Sequence, residues 1–311
     1  MENQSLEKRP LGSTGIMVTP LCYGCASAFA RDLISDETAS SLFRAAIDAG
    51  IRFFDTGHSY GCAEERIGKT LRGDSSIRRE DLVISTKFGT KRVNGKYIHD
   101  VSVDWAKESV ELSLKRMGID YIDILYIHGP EDKDLDDGGL RKLFDDLKSQ
   151  GVIRAVGVNT FDSAQIDRAA NEKLFDAVML DYNIVRQDRE PQIERLHANG
   201  IGVVAGQAMA ESVFLNDLYK VRSKKDLWYL ARTLGRTSSR KLYFEARKYR
   251  FMNHLDGIDG SQAALKYVLD NPGVSSAACG TCSFDHLRKN VEAAGITLPQ
   301  DVVDRIHRAG K

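Results

Sequence analysis

Phe53-Phe54-Asp55-Thr56-Gly57-His58-Ser59-Tyr60-Gly61, Ile84-Ser85-Thr86-Lys87-Phe88-Gly89 and Ile124-Leu125-Tyr126-Ile127-His128-Gly129-Pro130 are three apolar runs, each closing on a polar residue and a glycine. A run that stays apolar, instead of alternating with polar residues, predicts a strand covered on both faces, and such strands belong to parallel sheets flanked by helices. At their ends the three runs deliver a carboxylate, a phenol, an ammonium and an imidazole, on Asp55, Tyr60, Lys87 and His128. The carboxyl end of a strand is where barrel enzymes keep their chemistry, because loops there vary while the strands hold geometry. The four residues form the candidate active site.

Outward from these runs the chain alternates. Arg9 to Val18 has turn residues between two short extended pieces and reads as a hairpin that plugs a barrel floor. Further strands are predicted at Leu21–Gly24, Arg154–Asn159, Ala177–Asp181, Val203–Gly206 and Ser275–Gly280, around the three already given at Arg52–Asp55, Leu82–Lys87 and Ile122–His128. Helices are predicted between them at Asp36–Asp48, Ala63–Arg72, Val103–Met117, Leu140–Gln150, Ser163–Glu172, Pro191–Ala198 and Gln262–Asp270. Eight strands alternating with helices predict an α/β fold, a (β/α)8 TIM barrel with an N-terminal hairpin and a helical insertion after strand 7, in one domain spanning 1–311. An open doubly wound sheet is the alternative, but the segment after the first strand, Leu21-Cys22-Tyr23-Gly24-Cys25-Ala26, has one glycine where G-x-G-x-x-G would be needed.

Composition is compatible with this and narrows the context. With 44 basic and 44 acidic residues in 311 the formal charge is zero, and no apolar run approaches the length of a membrane span, so a soluble protein without a membrane partner is expected. Met1 to Lys8 carries acids and no apolar stretch, unlike a signal or transit peptide, and a cytoplasmic location is expected. The five cysteines are odd in number, which favours reduced thiols. Cys22 with Cys25 and Cys279 with Cys282 have the spacing of a four-thiolate zinc site, yet strand alternation opposes chelation, and no metal is expected.

Asp55, Tyr60, Lys87 and His128, each closing a predicted strand, resemble the tetrad of the aldo-keto reductase superfamily, and the resemblance runs over nearly the whole chain. It implies a hydride transfer between NADP(H), with NAD(H) possible, and a carbonyl or alcohol of a small organic substrate such as an aldehyde, ketone or sugar. Carbonyl reduction needs an acid that can release its proton, a task for Tyr60 if the Lys87 ammonium lowers the phenol's pKa. Asp55 would brace Lys87, and a His128 N–H would aim the substrate oxygen.

The same resemblance places the cofactor along the barrel rim. It assigns Gly24, Cys25 and Asp55 to the first strands, and Asn159, Met179, Gly206 and Gln207 to the nicotinamide end. In similar reductases these last positions hold a Ser-Asn pair, a Gln and a stacking aromatic. Trp228, Tyr229, Tyr243 and Phe251 are candidates to replace the missing ring. Gly280, Thr281, Cys282, His286 and Asn290 fall in the segment that cradles the adenosine phosphates, where a helix N-terminus suits an anion. Cys282 stands where a cation usually marks NADPH preference, and His286, Arg288 and Lys289 are near enough in sequence to serve instead.

The insertion, 211–258, is basic: between Tyr219 and Arg250 it has eleven Lys and Arg residues against Asp226 and Glu245. A lid that attracts phosphates or an anionic substrate is one reading and a solvated helical face the other, while nucleic acid is not expected as a partner of a chain with zero net charge. Two rival functions remain open. The tetrad could serve isomerisation or elimination without redox change, or the chain could be a cofactor-binding regulatory subunit of the kind that attaches to membrane channels. Oligomeric state is not legible.

Overall fold

The structure, a computed structural model, describes residues 6–94, 96–209, 227, 231 and 244–310. A two-stranded antiparallel hairpin, β1 (Arg9–Pro10) and β2 (Met17–Val18), comes first. The barrel strands are β3 (Leu21–Gly24), β4 (Phe53–Asp55), β5 (Val83–Phe88), β8 (Ile122–His128), β9 (Ile153–Asn159), β10 (Ala177–Asp181), β11 (Gly202–Gly206) and β12 (Ser276–Cys279). They close in the order β10-β11-β12-β3-β4-β5-β8-β9, all neighbours parallel, which excludes the open sheet. The eighth strand ends one residue earlier than expected, at Cys279.

Local chemistry sets the intervening helices. The Asp36–Asp48 helix starts where the Ser35 hydroxyl accepts from the Thr38 N–H, and the Val103–Met117 helix where Ser102 accepts from Trp105. The latter stops at Gly118, in the left-handed region at φ 65°. Asp137, Asp162 and Asp259 cap the helices Gly138–Ser149, Ser163–Glu172 and Gly260–Leu269 in the same way. Helices Ala63–Gly73, Glu190–Ala198 and Phe284–Gly295 complete the outer layer.

Three elements go beyond the expected set. A hairpin of β6 (Thr90–Val93) and β7 (Lys96–His99) follows β5, a short helix spans Asp132–Leu135, and a helix at Gln300–Gly310 ends the chain.

Strand alternation divides the core in two. Phe53, Val83, Ile124, Tyr126 and Val204 fill the barrel interior, whereas Phe54, Ile84, Leu125 and Ile127 face the helices. The hairpin contributes Leu11, Ile16 and Val18 to the interior cluster and therefore does plug the floor. Gly12, at φ +53°, sits so close to β11 that a Cβ would lie 2.3 Å from the Gly200 carbonyl oxygen.

Of the basic insertion, 210–226, 228–230 and 232–243 lie outside the described residues, with Trp228, Tyr229 and Tyr243 among them. Its end is a 3-10 helix, Arg247–His254, in which Tyr249 and Met252 are buried. Among the described residues no helix is long and apolar enough to cross a membrane.

Candidate active site

The site is built on strand ends. Asp55 closes β4, Lys87 is the penultimate residue of β5 and His128 closes β8. Parallel register carries the neighbours round the rim: Gly24 pairs with Asp55, Asp55 with Ser85, Lys87 with Tyr126, His128 with Asn159, and Asn159 with Met179. Inward alternation of Phe53 and Asp55, and of Ser85 and Lys87, points these polar groups to one axis.

Lys87 is at the centre. Its Nζ donates to both carboxylate oxygens of Asp55 at 2.5 Å and to the Thr56 carbonyl at 2.7 Å. Ser85 adds a 2.7 Å hydrogen bond to Asp55 Oδ1. The ammonium lies 4.9 Å from the centroid of the Tyr60 ring, whose other neighbour is the His128 ring, edge-on at 5.8 Å. Carboxylate, ammonium, phenol and imidazole thus meet at the carboxyl rim, as the sequence led us to expect. Ser85 and the Thr56 carbonyl were not singled out, although period-two alternation alone places Ser85 on the face of Lys87.

Burial fixes the charges. For Lys87, burial lowers the pKa most, but the Asp55 carboxylate, through charge and hydrogen bond, together with Tyr60 and Cys22 outweighs it, so the amine stays charged with a pKa above its ordinary value. Burial, with help from the Lys87 charge, holds the His128 imidazole down to about 4, so it is neutral at pH 7 and carries one N–H. Tyr60 departs from expectation. Lys87 does pull its pKa down, but burial pushes harder and the net direction is up. The phenol therefore keeps its proton at neutral pH.

At the nicotinamide end, the Asn159 amide Nδ2 donates to the Met179 carbonyl at 3.1 Å, which leaves its Oδ1 as the group that could accept from a carboxamide. Met179 is 5% exposed and offers no hydrogen-bond donor of its own. Gly206 is buried and Gln207 exposed, with a positive φ of 53° and its carbonyl held by Asn183 Nδ2 at 3.1 Å. Phe251 is covered by the Arg305 guanidinium, 4.2 Å from its ring centroid, and belongs to the packing of the C-terminal helix.

The segment that the resemblance assigns to the phosphates is closely built. Gly280 approaches β3 so closely that a Cβ would fall 2.7 Å from the Gly24 carbonyl oxygen. Thr281 Oγ1 accepts from the Ser283 N–H at 3.1 Å, and Ser283 caps the helix Phe284–Gly295 by accepting from His286 N at 3.4 Å. Asn290 is only 6% exposed and its side-chain amide makes no hydrogen bond among the described residues, so it is available to a ligand. These features fit the adenosine end of a dinucleotide. Arg288 and Lys289, by contrast, already form ion pairs, Arg288 with Asp285 and Glu292 at 2.7 and 2.6 Å and Lys289 with Asp259 at 3.0 Å.

Cys22, Cys25 and Cys279 are buried and Cys62 and Cys282 half-buried, and none of the five is in a disulfide. Cys22 and Cys279 do lie on adjoining strands, where Cys22 pairs with Ala278 and Cys279 with Tyr23. Burial raises the pKa of Cys22, Cys25 and Cys279. Among the described residues no group of three or more His, Cys, Asp or Glu could hold a metal ion.

A closed parallel barrel with this rim defines a class of nicotinamide-dependent oxidoreductase. The chain belongs to the aldo/keto reductase family, whose model matches residues 20–311, and it is an NAD(P)H-dependent reductase of that family. It is 27% identical to the uncharacterized oxidoreductase YqkF of Bacillus subtilis (strain 168) over 93% of this chain and 91% of that protein. It is 30% identical to a D-threo-aldose 1-dehydrogenase of Pseudomonas sp. over 92% of each chain. The solved structure of aldo-keto reductase AKR11C1 from Bacillus halodurans, in its holo form, superposes with a TM-score of 0.81 at 26% identity, covering 98% of this chain and 97% of that one.

Proposed function

We propose that this enzyme moves a hydride between NADP(H) and the carbonyl or alcohol carbon of a small organic molecule, an aldehyde, ketone or sugar. One observation carries the reading: the Lys87 ammonium lies between the Asp55 carboxylate and the Tyr60 ring, with a neutral His128 ring edge-on to that phenol. The nicotinamide supplies the hydride when bound; Asn159 Oδ1 would hold its carboxamide, Gly280 would admit its phosphates, and Asn290 would meet its adenosine.

The side chains divide the remaining work. His128 would donate an N–H to the substrate oxygen and aim it. Tyr60, still protonated at neutral pH, would give its Oη proton to that oxygen as charge develops there, and Lys87 would stabilise the phenolate left behind. Asp55, Ser85 and the Thr56 carbonyl keep the ammonium fixed, so little reorganisation is needed at the moment of transfer. The likeness to an aldose dehydrogenase supports sugar-like substrates.

Tyr60→Phe tests the assignment because it removes only the acidic proton. Cofactor absorbance with a panel of aldehydes, ketones and sugars should show kcat down at least about 100-fold, with nicotinamide Kd by fluorescence within about twofold. Wild-type turnover in that variant, or turnover without any change in nicotinamide absorbance, defeats the proposal.

A further inference from the structure

His58 belongs to the same loop as Asp55 and Tyr60, yet its ring is not in the site. Its backbone N–H donates to the Lys87 carbonyl at 3.0 Å, and the tight turn that follows is closed by the Tyr60 N–H on the Gly57 carbonyl at 2.8 Å. The imidazole stands edge-on to Trp105 at 4.9 Å, and Arg116 Nη1 lies over its face, 3.2 Å from Nδ1 and 3.5 Å from Nε2. That same Nη1 reaches the His58 carbonyl at 3.4 Å and Glu64 Oε2 at 3.0 Å. Glu64, 1% exposed, uses its other oxygen to accept from Thr86 Oγ1 at 2.7 Å. Thr86 precedes Lys87 and faces away from the barrel axis, so the circuit runs from the turn that carries Tyr60, through Arg116 and Glu64, back to the strand that carries Lys87.

We propose that His58 is a positioning residue, which by packing its ring against the Arg116 guanidinium clamps the Tyr60 turn to β5 and so sets the placement of the phenol over the Lys87 ammonium. The inference rests on the reading of Tyr60 as the proton donor. A neutral imidazole suits the role, because a cation is drawn to the face of an uncharged aromatic ring and repelled by an imidazolium. Burial, and then the Arg116 charge, lower the pKa of His58 against the opposing pull of Glu64, Glu108 and the Ser109 backbone. Glu64 has its own reason to stay in place: a buried carboxylate without Arg116 would be uncompensated. The brace therefore holds itself together on the outer face of the barrel and acts on the rim only through the backbone.

Steady-state kinetics of His58→Leu, His58→Phe and Thr86→Val, with Tyr60→Phe alongside, test this. His58→Leu removes the ring face and should lower kcat at least tenfold while carbonyl KM and nicotinamide Kd stay within twofold. His58→Phe restores an aromatic face to Arg116 and should recover kcat to within about threefold of wild type. Thr86→Val cuts the circuit at its other end and should lower kcat in the same direction, which keeps the test alive should His58→Leu fail to fold. Wild-type kcat in His58→Leu or Thr86→Val, or a His58→Phe enzyme as slow as His58→Leu, overturns the proposal. Tyr60→Phe reports separately: if it alone retains turnover, the parent reading falls instead.

Discussion

At the residue scale the Asp55–Lys87 pair has side chains 7% and 0% exposed, so neither charge can turn to water if its partner is lost. Breaking such a pair costs about 3–5 kcal/mol, whereas removing both charges costs much less. Lys87→Met should therefore lower urea stability by about that amount, and Asp55→Asn/Lys87→Met should be more stable than Lys87→Met; equal or additive losses would show that the pair is not coupled. His128 and His58 both have pKa values lowered in the folded state, His128 to about 4. The unfolded chain thus takes up protons first as pH falls below about 6.5, and stability present above that pH is lost toward pH 4. His128→Asn should flatten this decline by close to one proton, measured as the pH slope of unfolding free energy between pH 7 and 4.5. Asp55, Lys87 and His128 were legible because each stands at a strand end, and Tyr60 because it lies in the loop that follows one, where position alone suggests a role. Glu64 and Arg116 were not, since a Glu or an Arg within a helix usually faces solvent, and Thr86, although in a strand read as buried, carries nothing local that names its partner.

Elements were read well where the apolar pattern is strong. Every barrel strand was found within one or two residues, because a strand buried on both faces leaves a continuous apolar run. The β6–β7 hairpin was missed. Val93, Tyr97 and Ile98 are exposed, at 40, 55 and 45%, so no buried face writes a pattern into this sequence. Asn94-Gly95 was the available signal, since that dipeptide favours a two-residue hairpin turn. The Gln300–Gly310 helix was also missed, although Val302, Val303, Ile306 and Ala309 set one apolar stripe on the core at helical spacing. The floor hairpin carries its own prediction. Gly12→Ala combines a left-handed φ with a Cβ 2.3 Å from the Gly200 carbonyl oxygen, and should cost about 2–4 kcal/mol. Thermal unfolding should show the loss while kcat at 25 °C stays at the wild-type value, because the plug lies at the end of the barrel opposite Tyr60. A thermally neutral Gly12→Ala would mean that the plug can shift without cost.

For the whole molecule, closure of the barrel is what turns separate strand ends into a site. Gly24 and Asp55 come from the start of the chain, Asn159 and Met179 from its middle and Asn290 from its end, and only closure of the eight strands brings the segments that carry them round one axis, where the proposed dinucleotide would span them. A ligand that spans those elements binds the closed barrel and not the unfolded chain, so its affinity should appear as stability. At 100 times Kd the gain is about 2.7 kcal/mol, or about 4 °C for a chain of this length. Which nicotinamide gains more depends on Arg288 and Lys289. Arg288 and its two acidic partners are 46–57% exposed, and Lys289 and Asp259 are 33 and 35% exposed. Exposed pairs of this kind contribute about 0–1 kcal/mol each, so a 2'-phosphate can displace the carboxylates at small cost. NADPH should therefore raise the unfolding temperature more than NADH at equal concentration, and the difference should shrink between 50 and 500 mM salt as those charges are screened. Equal shifts for the two cofactors, or a difference indifferent to salt, would rule out a phosphate held by these cations.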